Sequence, residues 1–294
     1  KTVSLSSGEV LSYEKLLIAS GSSPVVPPVK GIQGEGVFTL RTVTDALDLC
    51  AYLERTKVTA AAVIGGGLVG VKAAEALSRR GLTVTIVEQL PTILYPLVDK
   101  AAAAILTARL AAAGIEVMTE ETAEEVLRKN GKVAGLRLKS REIAAQVVIV
   151  AAGVRPNVSF LSASGIRCHR GILVDENLQT SAPDVYAAGD AVEYRDLLSG
   201  EPLVSGLWSN AVATGKVAGM NIAGKRMRCE EFLRVMNATE VGGLPVVAAG
   251  IVASEEDGYE VYTARDGENY RKVVLQEETL VGVLLVGEVE RAGV

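Results

Sequence analysis

The chain has 294 residues, of which 49% are hydrophobic and 30 are glycine, a length for two or three domains and a composition typical of α/β proteins. The net charge of −5 excludes a basic nucleic-acid-binding surface, and no apolar run approaches the roughly 18 residues of a membrane span. The three cysteines lie far apart and there is one histidine. This excludes a disulfide scaffold or zinc ribbon and favours a reducing, cytoplasmic location.

The chain opens with "KTVSLSSGEVLSYEKLLIAS", a turn followed by an alternating strand, and it begins without Met. We therefore expect a piece of a longer protein. Further along, the hydrophobic pattern predicts an apolar strand over 58–64, a helix over 68–80 that ends at Gly81, and a second strand over 83–87.

Three glycines join the first of these strands to the helix in the pattern G-x-G-x-x-G. Gly65 makes the tight turn, Gly67 lets a pyrophosphate approach the backbone, and Gly70 lets helix and strand pack closely. The helix N-terminus offers free N–H groups and the positive end of its dipole to phosphates. The further candidates in this turn are Gly66, Leu68 and Val69.

An acidic residue follows at the spacing that such sites use. Glu88 ends the second strand, about 20 residues after the glycines. Its carboxylate accepts hydrogen bonds from a ribose 2′-hydroxyl and repels a 2′-phosphate. The strand, glycine turn, helix and acid together predict an NADH site.

The next segments complete an α/β domain. The patterns predict a helix over 99–113 capped by Asp99, a strand over 115–118, a hairpin across Asn130-Gly131, and a buried strand over 146–153. This last strand ends at Gly153, beside the first strand-to-helix turn. Gly153 is therefore the candidate for the passage of the nicotinamide end.

The segments that flank this domain resemble the pyridine nucleotide–disulfide oxidoreductases, which are flavoproteins with two dinucleotide-binding domains. The resemblance rests on "YEKLLIASGSSPVVPP" (13–28), "FTLRTVTDALDL" (38–49), "TSAPDVYAAGDAVE" (180–193) and "GLWSNAVATGKVAGMNIAG" (206–224), in the family order. It implies FAD as a second cofactor, with Asp190 hydrogen-bonded to the ribityl chain. The FAD-site residues that it implies are Ser20, Gly21, Arg41, Gly189 and Asp190.

The resemblance also implies an organisation: an α/β fold in which a Rossmann-like NAD domain is inserted in an incomplete FAD domain, with a partial α+β interface domain at the C-terminus. The expected segments are 1–55 (FAD), 56–157 (NAD), 158–224 (FAD) and 225–294 (interface). We expect the first glycine-rich unit of the FAD domain to lie ahead of Lys1. The strand-like runs "LPVVAAGIVA" and "LVGVLLVG" favour a homodimer through the last segment.

The resemblance implies an FAD-dependent NADH oxidoreductase that passes a hydride to flavin and electrons on to an iron protein, oxygen or a partner subunit. One alternative is a disulfide or persulfide reductase whose redox cysteine lies ahead of Lys1. The other is a non-catalytic NADH-binding module. Lys72 occupies a helix position where the family usually has Glu near the nicotinamide. It is therefore either a coenzyme contact or a solvated residue, and no catalytic residue can be named.

Two of the cysteines lie among apolar residues. Cys50 shares a predicted helical face with Leu47 and Leu53, and Cys168 alternates with Ile166. We expect both thiols to be buried and Cys229 to be exposed.

Overall fold

A computed structural model of the chain describes residues 1–229, 232–233, 235–253, 258–290 and 292. They form two compact units, the first from 1–23 and 154–234 and the second from 24–153 and 235–294. The four segments expected from the sequence, with boundaries after 55, 157 and 224, stay a prediction.

The described α-helices, in chain order, are α1 (Val43–Arg55), α2 (Leu68–Arg79), α3 (Lys100–Ala112) and α4 (Trp208–Ile222). The strands of the first half of the chain are β1 (Thr2–Ser4), β2 (Val10–Ser12), β3 (Leu16–Ile18), β4 (Ser22–Pro24), β5 (Val37–Thr39), β6 (Ala60–Ile64), β7 (Thr83–Val87), β8 (Ile115–Met118), β9 (Ala123–Lys129), β10 (Lys132–Leu138), β11 (Glu142–Ala144) and β12 (Val147–Val150). The remaining strands are β13 (Val154–Pro156), β14 (Ile172–Leu173), β15 (Val185–Ala187), β16 (Val192–Arg195), β17 (Pro202–Val204), β18 (Met236–Val241), β19 (Leu244–Gly250), β20 (Glu260–Asp266), β21 (Asn269–Gln276) and β22 (Thr279–Val286). No described helix has the length and apolar character needed to cross a bilayer.

The centre of the second unit is a parallel sheet in the order β5-β12-β6-β7-β8. Strands β6 and β12 are apolar throughout because both faces of the sheet are covered, and Val63 and Ile149 are completely buried. The strands and helices predicted between 58 and 118 are confirmed, with ends that differ by one or two residues. The edge strand β5 comes from outside the predicted NAD segment.

A small antiparallel sheet in the order β11-β10-β9 follows β8 in the chain. Its predicted hairpin turn is confirmed, because Asn130 and Gly131 have φ angles of 53° and 79°. Positive φ at both central residues is what a type I′ turn requires, and it matches the twist of the flanking strands.

The second unit also contains an antiparallel sheet in the order β18-β19-β22-β21-β20. One face of this C-terminal sheet places Val246, Leu284 and Val286 in the same buried cluster as Val71 of α2 and Leu106 of α3. The sheet therefore shares a core with the parallel sheet and its helices.

The first unit consists of short sheets, β1-β2, β15-β3, β13-β4 and β14-β16-β17, together with α4. Its core includes Ile18, Ile172 and Val192. The expected burial of Cys168 is wrong: its side chain is exposed, because the segment after Ile166 forms only an isolated bridge to Ile172 and not a strand. Cys50 and Cys229 are half-buried.

Candidate functional site

Around the turn between β6 and α2, a side chain on Gly65 or Gly70 would collide with backbone atoms. A Cβ on Gly65 would lie 2.3 Å from the carbonyl oxygen of Ala151, and one on Gly70 would lie 1.9 Å from that of Gly65. Gly65 also has a φ angle of 110°, which favours glycine. No described heavy atom lies within 4 Å of a Cβ built on Gly67. The backbone is therefore closed on the protein side at Gly65 and Gly70 and open at Gly67.

The N-terminus of α2 is free to bind an anion. Gly67 is its N-cap, and no described side chain makes the capping hydrogen bond. The first intrahelical bond runs from the Val71 N–H to the Gly67 carbonyl at 2.9 Å, so the N–H groups of Leu68, Val69 and Gly70 precede it. The first turn of the helix carries no acidic residue. Unpaired N–H groups at the positive end of the helix dipole fit a pyrophosphate.

Glu88 lies beside this turn and braces it. The side chain is 8% exposed; Oε2 accepts a hydrogen bond from the Gly66 N–H at 2.6 Å, and Oε1 accepts one from the Leu90 N–H at 2.8 Å. Each carboxylate oxygen has a second lone pair, so Glu88 can also accept from a ribose hydroxyl. The ribose role stays a prediction, whereas the contact with Gly66 was not predicted from the sequence.

A segment that sequence reasoning missed packs against the same turn. The Leu94 N–H donates to the Gly66 carbonyl at 2.8 Å, and the side chains of Ile93 and Leu94 are buried. A Cβ on Gly66 would lie 2.8 Å from Cγ2 of Ile93. The signal available in the sequence was the apolar run "TILYPLV" at 92–98, shortly after the second strand.

The buried strand predicted over 146–153 corresponds to β12, which ends at Val150, so Gly153 lies in the segment after the strand and not at its end. Beyond β12, the Ala151 N–H donates to the Ile64 carbonyl at 2.8 Å, which brings this segment against the start of the glycine turn. Gly153 has a φ angle of 94°, and its carbonyl accepts from the Val25 N–H at 2.9 Å. No described atom lies within 4 Å of a Cβ built there. Its contact with the coenzyme stays a prediction.

The first unit brings together most of the residues that the resemblance implies for FAD. Asp190 is 9% exposed, and its Oδ2 accepts a hydrogen bond from the Ser22 hydroxyl at 2.9 Å. The neighbouring Gly189 has a φ angle of 74°, and its carbonyl accepts from the Tyr194 hydroxyl at 2.9 Å. Burial raises the pKa of Tyr194 to about 12, so this hydroxyl remains a donor at neutral pH.

Ser20 and Gly21 are fixed by Asn157. The Ser20 hydroxyl donates to the Asn157 carbonyl at 2.7 Å, and the Asn157 side-chain amide donates back to the Ser20 carbonyl at 2.9 Å. The Asn157 N–H donates to the Gly21 carbonyl at 2.9 Å. A buried carboxylate next to fixed backbone carbonyls and hydroxyls fits the polyhydroxyl chain of FAD.

Arg41 belongs to the second unit, whereas the other implied FAD residues belong to the first. Its N–H donates to Oδ2 of Asp45 at 2.7 Å, in the capping box that Thr42 and Asp45 form at the start of α1. These backbone N–H groups lower the pKa of Asp45. The contact of Arg41 with FAD stays a prediction.

Comparisons with known proteins place the chain in a family of oxidoreductases. Residues 1–215 match the model of the family described as pyridine nucleotide-disulphide oxidoreductase. The chain is 35% identical to an NADH oxidase of Methanocaldococcus jannaschii over 83% of this chain and 54% of that protein. It is 34% identical to the epsilon subunit of the NADH-dependent phenylglyoxylate dehydrogenase of Aromatoleum evansii, over 100% of this chain and 70% of that protein.

Among solved structures, an NAD-dependent persulfide reductase from A. fulgidus matches with a TM-score of 0.89 and 27% identity. The match covers 99% of this chain and 58% of that protein. The chain thus spans little more than half the length of the NADH oxidase and of the persulfide reductase.

Proposed function

The chain belongs to the pyridine nucleotide-disulphide oxidoreductase family, and from that premise we propose that the whole protein is an FAD-dependent oxidoreductase that takes a hydride from NADH. Membership in this family implies FAD and NAD(H) as cofactors. The observation that carries the proposal is the uncapped N-terminus of α2 behind a glycine turn that Glu88 braces. When bound, FAD supplies the redox chemistry, and the protein supplies binding and orientation.

We assign the following roles within this proposal. The N–H groups of Leu68, Val69 and Gly70 bind the pyrophosphate of NADH. Glu88 accepts a hydrogen bond from the adenosine ribose, and its buried charge disfavours the 2′-phosphate of NADPH. Asp190 accepts a hydrogen bond from a hydroxyl of the FAD ribityl chain.

Anaerobic titration of the intact protein tests this function. We expect NADH to bleach the flavin absorption with one equivalent per site, and NADPH to do so only at much higher concentration. A flavin spectrum that neither coenzyme changes would instead support the non-catalytic NADH-binding module. Preference for NADPH would contradict the role assigned to Glu88.

The electron acceptor has three candidates. The names of several relatives support oxygen or a partner subunit. The similarity to a persulfide reductase favours a sulfur substrate, with the redox cysteine outside residues 1–294. Oxygen and the sulfur substrate are distinguished by reoxidising the NADH-reduced protein with oxygen or with glutathione persulfide, before and after alkylation by iodoacetamide. Fast reoxidation by the persulfide, abolished by alkylation, would identify the sulfur substrate.

A cytoplasmic homodimer remains part of the proposal. One face of the C-terminal sheet is buried in the core, whereas Val247, Val283 and Leu285 on the opposite face are only partly covered. Because the inner face shares the core of α2, deleting 226–294 would expose that core, and a point variant is the better test. We expect Leu285→Lys to convert a dimer to a monomer in light scattering, whereas Lys139→Glu, at an exposed position, leaves the mass unchanged.

A further inference from the structure

The turn of the β18–β19 hairpin is held between the two helices α2 and α3 of the proposed coenzyme-binding domain. Gly242 and Gly243 form this turn with φ angles of 58° and 80°. The Gly242 N–H donates to Oε1 of Glu75 on α2 at 2.9 Å, and the Gly242 carbonyl accepts from Nε of Arg109 on α3 at 3.0 Å. A Cβ on Gly242 would lie 2.6 Å from the Cβ of Arg109. The position of Gly242 therefore has room only for glycine, and its backbone is hydrogen-bonded to both helices.

Lys72 of α2 adds two further contacts. We call the contacts of Lys72, Glu75 and Arg109 with the β18–β19 hairpin the joint. The ammonium group of Lys72 lies 2.9 Å from Oε2 of Glu75 and also donates to the carbonyl of Glu240 in β18. Glu75 is 7% exposed, and its two oxygens have different partners: Oε1 accepts from the Gly242 N–H and Oε2 from the ammonium of the partly exposed Lys72. Removing either partner leaves a buried carboxylate with one donor fewer, which is costly. Lys72 is thus not simply a solvated residue, because its described partners are Glu75 and Glu240, and neither of them belongs to the turn at 65–70.

The joint lies close to the end of α2 that the pyrophosphate would contact. Lys72 is four residues after Leu68, which corresponds to about 6 Å along the helix axis. A helix transmits a displacement along its axis because its backbone hydrogen bonds are continuous. A hydrogen bond to phosphate is effective only near 2.7–3.2 Å between heavy atoms, so a shift of about 1 Å at the N-terminus is enough to weaken it.

The inference rests on the proposed function. We propose that Lys72 and Glu75 are positioning residues for the coenzyme, and that they hold the N-terminus of α2 in place through the β18–β19 hairpin. In this proposal the C-terminal sheet contributes to coenzyme binding, because it fixes the position of α2. By thermodynamic linkage, coenzyme binding and docking of the hairpin stabilise each other.

Two ligands separate this role from a direct contact with the nicotinamide. NAD⁺ and ADP-ribose share the pyrophosphate and the adenosine, but only NAD⁺ carries the nicotinamide. If Lys72 acts through the position of α2, Lys72→Met raises the Kd of both ligands by the same factor, roughly between twofold and thirtyfold. If Lys72 contacts the nicotinamide, only the Kd of NAD⁺ changes.

The experiment is calorimetric titration of the intact, flavin-loaded protein with each ligand. We expect Lys72→Arg, which keeps donors for Glu75 and Glu240, to bind both ligands within about twofold of the wild type. Lys139→Met, at an exposed position of the same unit, is the matched control and leaves both Kd values unchanged. Glu75→Gln, which weakens the joint from the other side, raises both Kd values together.

Hydrogen exchange gives a second readout that does not depend on affinity. ADP-ribose should slow the exchange of amides in 236–250 of the wild type, and this protection should shrink in Lys72→Met. A change confined to NAD⁺, or unchanged Kd values in both Lys72→Met and Glu75→Gln, overturns the inference while leaving the proposed function intact. A wild-type protein that binds neither ligand refutes the proposed function itself.

Discussion

Gly67 and Gly70 lie three residues apart in one turn, yet we expect their replacement by alanine to be detected in different assays. At Gly70 a Cβ would lie 1.9 Å from the Gly65 carbonyl oxygen, which is 1.1 Å below the 3.0 Å limit of ordinary contacts. Both partners are backbone, so α2 must move away from β6, and such overpacking costs about 1–3 kcal/mol. Alanine regains about 1 kcal/mol of helix propensity. Gly70→Ala should therefore lower the free energy of unfolding by up to about 2 kcal/mol.

At Gly67 the same substitution meets open space, and the φ angle of −73° suits alanine. Loss of glycine at an N-cap costs at most about 1 kcal/mol of stability. The added methyl group, however, occupies the side of the turn that the pyrophosphate must approach. Losing one hydrogen bond from an N–H to a charged phosphate costs about 1.5–3 kcal/mol. We therefore expect the Kd of ADP-ribose to rise roughly 10- to 150-fold in Gly67→Ala.

The two variants are compared by urea unfolding and by titration with ADP-ribose, both on the intact protein. Gly215→Ala is the control, because Gly215 lies within α4 with no described atom near its Cβ position. It should gain stability and leave the Kd of ADP-ribose unchanged. An unchanged Kd in Gly67→Ala would falsify the placement of the pyrophosphate at this turn. Unfolding of Gly70→Ala at higher urea than the wild type would show that the contact with Gly65 is unimportant.

Three carboxylates, Glu88, Asp190 and Glu193, each control a different measurable property. Glu88→Gln keeps the shape of the side chain and removes its charge, so the ratio of kcat/KM for NADH over NADPH should fall at least tenfold; an unchanged ratio would contradict the role of the charge. Asp190→Ala should release FAD on dialysis, whereas Asp175→Ala, at an exposed position of the same unit, should not, as absorption of the dialysed protein will show. Burial alone would raise the pKa of Glu193, but hydrogen bonds from His169, Gly171 and Arg170 lower it. The contribution of ionised Glu193 to the stability of the folded protein is therefore complete above the ordinary carboxyl pKa. It is lost as the pH falls through the lowered pKa. Glu193→Gln should destabilise the protein by about 1–3 kcal/mol at pH 7 and by progressively less as the pH falls below the ordinary carboxyl pKa, measured by urea unfolding; a pH-independent difference would contradict this.

Much of the fold and part of the candidate site follow from the sequence alone, because their determinants are local. The apolar strand before Gly65, the helix that ends near Gly81 and the acid at Glu88 were all predicted, and the structure brings Glu88 against the glycine turn. The hairpin at Asn130-Gly131 was predicted because positive φ angles select those residue types. The prediction of the FAD-site residues rested on resemblance to the family, because no local sequence pattern in those segments specifies a ligand.

Other features were decided only by tertiary structure. The sequence does not indicate that β5 joins the parallel sheet beside β12, or that the segment around Leu94 packs on the turn. It also left Lys72 open between a coenzyme contact and a solvated residue, whereas the structure pairs it with the carbonyl of Glu240, 168 positions away. Periodicity and turn propensity depend on neighbours within a few residues, whereas a contact across such a distance depends on how two sheets and their helices share one core.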